Sequence, residues 1–463
     1  MEAIIDKIVA KFKREAREFF ERERKDIKAA EAYFVPRLSE MVTELLSGLY
    51  EEADEELLAD RAGRRQSGLR VERRGDRRRV LTMMGEVGYK RTYYQRRDGT
   101  YCYPIDELAG VEAYERISGG VSEALVATAR KVSYGKSSQF VTDGAISKQT
   151  VMNKIRQSIP RAELVERVRV PVLHIDADED HVKLYGGGST SAPLIDVYTG
   201  IEKQGKRGKC KDVFHISEYG KSADELWETV LTEMERRYDL RETRIYLHGD
   251  GAQWIKTGLD WLPNSVLVLD RYHVNKALKA AVCGIEARSG CQYEHLLRKA
   301  LQEGDRDYFL SVRDSLLVHW PDRQASILEN TDYLLAHFEA IHIWHVDPEA
   351  RNGGATEPHV SNILSARLSS RPMAWSKDTL RRFLPILAAG TCMLEPESED
   401  DSALDEQAVQ ANTVIHRKAS RRFGLLDPDR AVHIPGTSGK VTPLFNALRP
   451  FVYSKSPFSP TTT

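Results

Sequence analysis

The sequence predicts an α/β protein in which an α-helical N-terminal region precedes a mixed β-sheet, and three observations lead to this fold class. The N-terminal part places apolar residues at helical spacing. The centre of the chain alternates short strand-like runs with amphipathic helices. Aspartates directly follow two of those strand-like runs, where α/β sheets present ligand-binding residues. With 463 residues, the chain is long enough for two or three domains.

The composition limits the classes of partner. The 68 Lys and Arg residues nearly balance the 69 Asp and Glu residues, so any affinity for nucleic acid must come from local patches. One such patch is the arginine-rich stretch 61–79. The five cysteines form no Cys-x-x-Cys pair, which argues against a disulfide framework or a zinc ribbon. No apolar run approaches the roughly 20 residues of a membrane span, so we expect a soluble, cytoplasmic, bacterial-type protein.

Residues 1–60 are predicted to form a helical hairpin. Apolar residues recur at helical spacing from Ile4 to about Tyr33, and a second periodic run follows Pro36. Simple packing or a dimer contact explains such a hairpin without any further role. Residues 61–115 are interpreted as a basic segment followed by a small antiparallel β unit with a hairpin, because β-branched and aromatic residues are broken there by glycines and the pair Asp98-Gly99.

Residues 116–165 have the pattern of a helix-turn-helix. We expect helices over 123–132 and 137–141, a turn at 142–144, and a last helix that begins after Ser147 as its N-cap. In this motif the N-terminal residues of the last helix enter the major groove. The residues expected to face bases or phosphates are Lys148, Gln149, Asn153, Lys154 and Arg156. A plain structural role stays open, because any small three-helix unit has a similar pattern.

The catalytic core is predicted from the element order. Residues 166–274 read as β-β-β-α-β-α-β, in which early neighbouring strands precede strands that alternate with helices. This is the order of the ribonuclease-H-like fold. Residues 275–340 read as a helical insertion, and 341–392 return to the core with a helical stretch that starts at Glu357. The remainder, 393–463, reads as an acidic linker and a C-terminal tail.

Three acidic positions form the candidate site. Asp176, Asp178 and Asp180 share one face of a predicted strand, so several carboxylates can converge on a cation. Asp250 directly follows the next strand and lies between two glycines. Glu357 opens a helix and shares its inward face. Hard oxygen ligands select Mg²⁺ or Mn²⁺, and two such ions can support in-line displacement at phosphorus. A polar strand end and a tight turn are the structural alternatives for the aspartates.

Four stretches carry a family resemblance. The strings IDADEDHVKLY, LHGDGAQWIK, LDRYHVNKAL and TEPHVSNILSARLSSRPMAWS resemble the ISLre-type insertion-sequence transposases, a group catalogued as an uncharacterised protein family and akin to Mutator-type transposases. The resemblance covers most of the chain, to about Leu448. It implies Asp/Asp/Glu (DDE) chemistry at Asp178, Asp250 and Glu357, with Asp176 as an alternative first member and further metal ligand.

Two more residues gain a role from the resemblance. Asp270 and His273, in the string DRYH, match the place where Mutator-like enzymes keep a Cys/Asp-x-x-His pair beside the site. This match implies an accessory catalytic role for His273. The adjacent Pro358 stands where the family leads us to expect a small residue, which affects the direction in which Glu357 points.

The function implied is metal-dependent strand cleavage and strand transfer at the ends of an insertion sequence. Its partners would be double-stranded DNA at the element ends and target DNA, with a homo-oligomer in the synaptic complex and association with the nucleoid when DNA is bound. One alternative is a catalytically inactive, transposase-derived DNA-binding protein. The other is a binuclear metallophosphoesterase, whose ligands would be Asp178, His181, His248, Asp250 and His273.

Overall fold

The computed structural model describes residues 2–22, 24, 26–161, 165–204, 207–285, 292–352 and 359–394. The chain divides into two compact units, the first running from the N-terminus to Gln157 and the second spanning Ser158–Met393. The predicted α/β class is confirmed, since helices accompany a mixed sheet. Among the described residues, no helix is both long enough and apolar enough to cross a membrane.

The helical hairpin at the N-terminus is present, but its two helices are separated between Phe20 and Ile27 and not at Pro36. Helix α1 (Glu2–Phe20) packs against α2 (Ile27–Ala59), and Pro36 lies inside α2. The Asp26 carboxylate accepts a hydrogen bond of 2.9 Å from the Ala29 N–H and caps the start of α2. Helix α2 continues through Pro36 because the buried residues Tyr33 and Met41 anchor it on both sides.

A small β unit follows. Its elements are α3 (Arg61–Gln66), β1 (Arg70–Thr82), β2 (Gly85–Gln95), β3 (Tyr101–Cys102) and α4 (Pro104–Leu108). The strands form an antiparallel sheet in the order β1-β2-β3, as predicted, with Gly99 at positive φ in the second turn. The sequence predicts that the arginine-rich stretch 61–79 precedes this unit, but its first part forms α3 and its second part, from Arg70, belongs to strand β1. An edge strand tolerates arginines because their long side chains reach water.

Three short helices complete the first unit. They are α5 (Gly119–Ala129), α6 (Tyr134–Thr142) and α7 (Lys148–Arg156), and each is capped by a serine. Asp143 adopts the left-handed conformation after α6, and Ser147 accepts a hydrogen bond from the Thr150 N–H. Leu125, Val151 and Ile155 are fully buried between the helices. The predicted turn and the predicted start of the last helix are therefore present.

The second unit is built on a five-stranded mixed sheet. Its strands are β5 (Val172–Lys183), β6 (Ser189–Tyr198), β9 (Phe214–Ile216), β10 (Arg244–Gly249) and β11 (Ser265–Leu269), arranged β11-β10-β5-β6-β9. Strand β10 is parallel to β5 and β11, whereas β6 is antiparallel to β5 and β9. The sequence did not predict the hairpin of β7 (Gly200–Gln204) and β8 (Arg207–Lys211). The two-residue strands β4 (Ser158–Ile159) and β12 (Met393–Leu394) mark the two ends of the unit.

The two faces of the sheet differ in chemistry. One face is apolar and packs on α8 (Ala223–Arg237), whose Trp227 is fully buried. Leu173, Ile175 and Ala177 of β5 belong to this apolar core. The alternate residues of β5 therefore point to the opposite face, as the strand periodicity predicts for Asp176, Asp178 and Asp180. That opposite face carries the candidate site.

The second unit also contains further helices among its described residues. They are α9 (Gln253–Lys256), α10 (Gly258–Trp261), α11 (Arg271–Ala281), α12 (Tyr293–Glu303), α13 (Arg306–His319), α14 (Gln324–Ala336), α15 (Phe338–Val346), α16 (Ala366–Leu368) and α17 (Lys377–Ala389). Short 3₁₀ turns cover Leu240–Glu242, Pro321–Arg323 and Glu349–Asn352, and a π-helical segment spans Val360–Ser365.

The segment 275–340, predicted to be helical, forms α11 to α14 in its described residues, and it has a core of its own around Phe309, Leu316 and Phe338. The helical stretch predicted to run past Leu387 is interrupted between α16 and α17, where Pro372 cannot continue a helix. The single helix expected after β10 is split into the short α9 and α10.

Candidate active site

Asp178, Asp250 and Asp270 come together because β5, β10 and β11 are parallel neighbours. His248 of β10 pairs with Asp176 of β5, so Asp178 lies level with the residue that follows Gly249. Gly249 pairs with Leu269, and its carbonyl accepts a hydrogen bond of 2.8 Å from the Asp270 N–H. The carboxyl ends of β10 and β11 thus place Asp250 and Asp270 beside Asp178, where ligands bind in α/β sheets.

The Asp178 and Asp250 carboxylates each use one oxygen to accept a hydrogen bond from a nearby backbone N–H. Asp178 accepts a hydrogen bond of 2.8 Å from the Glu179 N–H, and Asp250 accepts one of 2.8 Å from the Ala252 N–H. Within the described part of the chain, the second oxygen of each carboxylate carries no hydrogen bond. Both side chains are half-buried. Each aspartate therefore has one fixed oxygen and one oxygen available to a cation.

The electrostatics of the three aspartates indicate a site for positive charge. Burial raises the pKa of Asp178, and the negative charges of Asp250 and Asp270 raise it further. The nearby His273 acts in the opposite direction. Carboxylates that repel each other in a half-buried site are costly unless a cation neutralises them. An all-oxygen donor set of this kind fits Mg²⁺ or Mn²⁺.

His273 and Asp270 form a pair at the start of α11. The His273 Nδ1 lies 3.1 Å from the Asp270 Oδ2, and Asp270 also caps the helix by accepting from the Tyr272 N–H. The hydrogen bond to Asp270 raises the pKa of His273, and the charges of Asp250 and Asp178 raise it further. Burial alone would raise the pKa of Asp270, but the hydrogen bonds from His273 and Tyr272 lower it overall. The accessory pair expected from the sequence thus lies next to the carboxylates.

The helical insertion fixes the loop that carries Asp250. The Tyr333 hydroxyl of α14 donates a hydrogen bond of 2.7 Å to the Asp250 carbonyl oxygen. Gly251 has φ +84°, and a Cβ there would lie 2.3 Å from the His337 Nε2. The space that a side chain at Gly251 would need is taken by the His337 ring, so the packing of His337 on this loop requires a glycine.

Asp176 lies deeper in the sheet than Asp178. Its side chain is fully buried and accepts a hydrogen bond of 3.0 Å from the Tyr198 hydroxyl. Its register partner on β10 is His248, and its partner on β6 is Asp196. Asp176 is therefore not brought to the edge of the sheet where Asp178 meets Asp250, which favours Asp178 as the first aspartate of the site.

Two further histidines form a buried pair behind the carboxylates. The His174 Nδ1 lies 3.2 Å from the His248 Nε2, and both rings are almost fully buried. Burial lowers the pKa of His174 to about 4 and that of His248 to about 3. His181, by contrast, is exposed on the surface. The five ligands of the metallophosphoesterase alternative are thus not gathered around one site.

The buried histidine pair predicts a loss of stability in acid. Unfolded histidines titrate near 6.5, so below that pH the unfolded chain takes up protons that the folded chain does not. The stability contributed by the neutral pair is full above about pH 6.5 and is lost as the pH falls toward about 4 and 3. For His174 the loss at pH 5 is about 2 kcal/mol. Urea unfolding at pH 7 and pH 5 measures the difference in the free energy of unfolding, to which both histidines contribute.

The matched variants isolate the histidine pair from other titrating groups. We expect the double variant His174→Gln/His248→Gln to show a smaller difference in the free energy of unfolding between pH 7 and pH 5 than the wild type. His181→Gln removes an exposed histidine from β5 and should retain the wild-type difference. Equal pH dependence in the wild type and the double variant would contradict the assignment.

The third predicted carboxylate, Glu357, lies outside the described residues, as does Pro358. The described chain resumes at His359, whose Nδ1 lies 2.6 Å from the Asp196 Oδ2. On the other side, the Asp196 Oδ1 lies 2.6 Å from the His215 Nδ1. Sequence reasoning missed this cluster. The overlooked pattern was an aspartate among apolar residues in the string PLIDVY, because a buried carboxylate needs a partner.

The candidate DNA-contacting residues divide into two groups. Lys148, Gln149 and Asn153 are exposed on α7, where the Gln149 amide donates a hydrogen bond of 3.0 Å to the Asn153 side chain. Lys154 is buried and pairs with Glu115. It is therefore not placed to contact DNA, because the apolar side of α7 holds it inside the unit. Arg156 is half-buried at the C-terminal end of α7.

Residues 22–394 match the model of a family described as "Uncharacterised protein family (UPF0236)". A UPF0236 protein of Caldanaerobacter subterraneus subsp. tengcongensis, whose name joins eleven loci, is 33% identical over 437 residues, which is 91% of each chain. Another from the same bacterium, whose name joins four loci, is 32% identical over 435 residues, again 91% of each chain. The UPF0236 protein in the vanSb 3′ region of Streptococcus gallolyticus is 25% identical over 342 residues, which is 68% of this chain and 72% of the relative.

Proposed function

The chain belongs to the uncharacterised protein family UPF0236, and from its carboxylate site we propose that it is a DNA transposase of the ISLre type. In this proposal it cleaves DNA at the ends of an insertion sequence and joins those ends to target DNA. The observation that carries the proposal is the meeting of Asp178 and Asp250 at the edge of the sheet, beside the Asp270–His273 pair.

The arrangement of the sheet supports the assignment of the core. The described elements of the second unit follow the order β-β-β-α-β-α-β along the chain, with the hairpin of β7 and β8 added before β9. In the sheet, β5 is central and only β6 is antiparallel to it. We infer a ribonuclease-H-like core, because that fold predicts the same element order and places its first aspartate on the central strand.

The chemistry follows from the donor set. Two Mg²⁺ or Mn²⁺ ions held by Asp178, Asp250 and Glu357 would supply an activated water or 3′-hydroxyl and stabilise the leaving 3′-oxygen. The backbone N–H groups of Glu179 and Ala252 orient the two aspartates by holding one oxygen of each. The hydrogen bond to Asp270 raises the pKa of His273, which favours the cationic form of its ring beside the site. A cationic imidazole suits a phosphodiester substrate.

The names of the relatives add an independent argument. One relative's name joins eleven loci of one bacterial strain, and another's joins four. A gene repeated at many loci is what a DNA segment leaves behind when it moves by copying itself. This argument concerns the relatives directly, and it extends to this chain through the 91% of its length that aligns with them.

The experiment that tests the proposal is a cleavage and strand-transfer assay with the full-length protein on DNA that carries the ends flanking its gene. We expect nicking at the element ends and joining to a target plasmid in Mg²⁺ or Mn²⁺, and neither product in excess chelator. A wild-type protein that binds the ends without cutting them would overturn the catalytic proposal in favour of a transposase-derived binding protein.

Recognition of the ends is assigned to α7, and this gives a separate prediction. We expect the double variant Lys148→Ala/Gln149→Ala to bind end DNA about tenfold more weakly, since one good contact to a base contributes about 1–3 kcal/mol of discrimination. Both side chains are exposed at the start of α7. Fluorescence anisotropy with labelled end DNA and a scrambled duplex measures the affinity and the specificity.

The control for this prediction is Lys131→Ala. Lys131 is an exposed lysine that follows α5 in the same three-helix arrangement, so the variant removes the same charge outside α7. We expect it to bind end DNA nearly as the wild type does. Wild-type binding by the double variant would exclude α7 as the recognition helix.

A further inference from the structure

A row of buried polar residues crosses the sheet behind the candidate active site. Register pairs His248 with Asp176, Asp176 with Asp196, and Asp196 with His215, so these four residues lie on one face of four adjacent strands. Paired residues of neighbouring strands point to the same side of a sheet. Asp176 and Asp196 have no exposed surface at all. Two carboxylates are thus buried side by side in the centre of the unit.

Asp196 lies at the centre of a three-residue cluster. Its Oδ1 lies 2.6 Å from the His215 Nδ1, and its Oδ2 lies 2.6 Å from the His359 Nδ1. The two rings are 5.1 Å apart between centroids and nearly perpendicular. One ligand atom from each residue lies within 4.8 Å of the other two. The side chains of His215 and His359 remain 19% and 25% exposed, so the cluster is reachable from solvent.

The negative charges of the buried Asp176 and Asp196 side chains need positive charge nearby. The Tyr198 hydroxyl donates a hydrogen bond to Asp176, and the rings of His215 and His359 contact Asp196. Two buried carboxylates on neighbouring strands are stable only beside positive charge. Protons on the two imidazoles are one source of that charge, and a divalent cation between them is the other. The donor set favours the cation, because two imidazoles and a carboxylate are the ligands of catalytic-type zinc sites.

We propose that Asp196, His215 and His359 bind a zinc ion. Zinc with Zn–N and Zn–O distances of about 2.0–2.1 Å sets tetrahedral ligand atoms about 3.3 Å apart. The present N–O distances of 2.6 Å are shorter than this, so both partly exposed imidazoles would have to move outward on binding. The set of three leaves a fourth position for water. The site needs no residue of the candidate active site, because Asp178 pairs with Leu194 and not with Asp196.

Such an ion would join three parts of the chain that are far apart in sequence. Asp196 belongs to β6, His215 to β9, and His359 opens the segment that leads into the π-helical turn. His359 follows Glu357 by two residues in the sequence. Zinc at this cluster would therefore fix the chain at His359, two residues after the third predicted carboxylate. The proposal itself stands without the transposase assignment, since it depends only on the three ligands.

The test is the zinc content of the full-length protein, measured by inductively coupled plasma mass spectrometry after equilibration with zinc and removal of loosely bound metal. We expect about one zinc per chain for the wild type. His215→Ala and His359→Ala should each lower the zinc content about tenfold or more. X-ray absorption at the zinc edge should show nitrogen and oxygen neighbours at about 2.0–2.1 Å without sulfur.

Two controls separate this site from the candidate active site and from loss of fold. His181→Ala removes an exposed histidine from β5, and Asp178→Asn alters the candidate active site. Both should retain the zinc of the wild type. Circular dichroism shows whether the His215→Ala and His359→Ala variants remain folded, and Asn variants at these positions serve if they do not. A zinc-free wild type, or zinc that persists in folded variants of both histidines, would overturn the proposal and leave a hydrogen-bonded Asp–His₂ cluster.

Discussion

Replacement of Asp178 by asparagine is expected to lower the rate of DNA strand cleavage by about 10³-fold or more. The substitution keeps the size of the side chain and one oxygen, which can still accept from the Glu179 N–H. It removes the negative charge that a divalent cation requires. It also removes repulsion among Asp178, Asp250 and Asp270, so the variant should fold at least as stably as the wild type. End binding should persist, because recognition is assigned to α7.

The same assay extends to the other two members of the proposed triad. Asp250→Asn and Glu357→Gln should each lose cleavage by a similar factor, because residues that act as a unit are not additive. The matched control is Asp180→Asn, which makes the same change two residues away on the same strand face. The Asp180 carboxylate accepts hydrogen bonds from the Ser369 hydroxyl instead of facing Asp250. We expect this control to cut end DNA at nearly the wild-type rate.

Several outcomes would contradict the site. Nicking that survives in the Asp178→Asn variant would remove Asp178 from the triad, and a test of Asp176→Asn would then decide whether the deeper aspartate serves. A loss of activity in Asp180→Asn as large as in Asp178→Asn would indicate a general requirement for negative charge on β5. Binding assays on each variant separate catalytic loss from loss of the DNA complex.

Replacement of Trp227 by alanine is expected to lower the free energy of unfolding by about 3–5 kcal/mol. Trp227 is fully buried under the apolar face of the sheet, and its Nε1 donates a hydrogen bond of 2.7 Å to the Trp254 carbonyl oxygen. A Cβ on Gly258 would lie 2.6 Å from the indole ring, which shows how closely α10 packs on it. Alanine leaves a cavity and an unpaired carbonyl group. Urea unfolding followed by fluorescence and circular dichroism measures the loss.

The control for this prediction is Trp261→Ala. Trp261 is half-buried in the same core, and its Nε1 donates a hydrogen bond of 3.0 Å to the Asp224 carboxylate. Partial exposure means that less apolar surface returns to water, so we expect a loss of about 1 kcal/mol. A loss at Trp227 no larger than the loss at Trp261 would show that the core under the sheet relaxes around the cavity.

The fold could be predicted from sequence wherever local patterns decide the structure. The strand periodicity around Asp176 and Asp178, the turn at Asp143 and the cap at Ser147 all depend on neighbouring residues, and all are present. The predictions that were wrong concern places where tertiary contacts, and not the local sequence, decide the structure. Pro36 does not end its helix because buried residues on both sides hold the helix together. The arginines at 70–79 form a strand because β2 supplies a partner for them.

The residues of the candidate site also divide into those that local sequence patterns predict and those that depend on tertiary contacts. Asp178 and Asp250 could be predicted because each follows or ends an apolar strand. The cluster at Asp196 could not, because it depends on which strands are neighbours and joins residues up to 163 positions apart. The sequence wrongly predicts a DNA contact for Lys154, because a sequence pattern indicates only approximately which face of a helix each residue occupies. A shift of one residue on a helix turns a side chain by about 100° and moves it from the solvent to the core.

The length of the helical segment between β10 and His359 has a consequence for the stage of synthesis at which the proposed activity can arise. Strand β10 ends at Gly249, whereas the segment that contacts Asp196 and Asp180 begins at His359. At a synthesis rate of about 5–20 residues per second, roughly 100 residues correspond to about 5–20 seconds. During that interval a nascent chain can pair β5 with β10 while it still lacks Glu357. A ribosome-bound chain is therefore expected not to cut DNA until the segment that contains Glu357 and His359 has been synthesised.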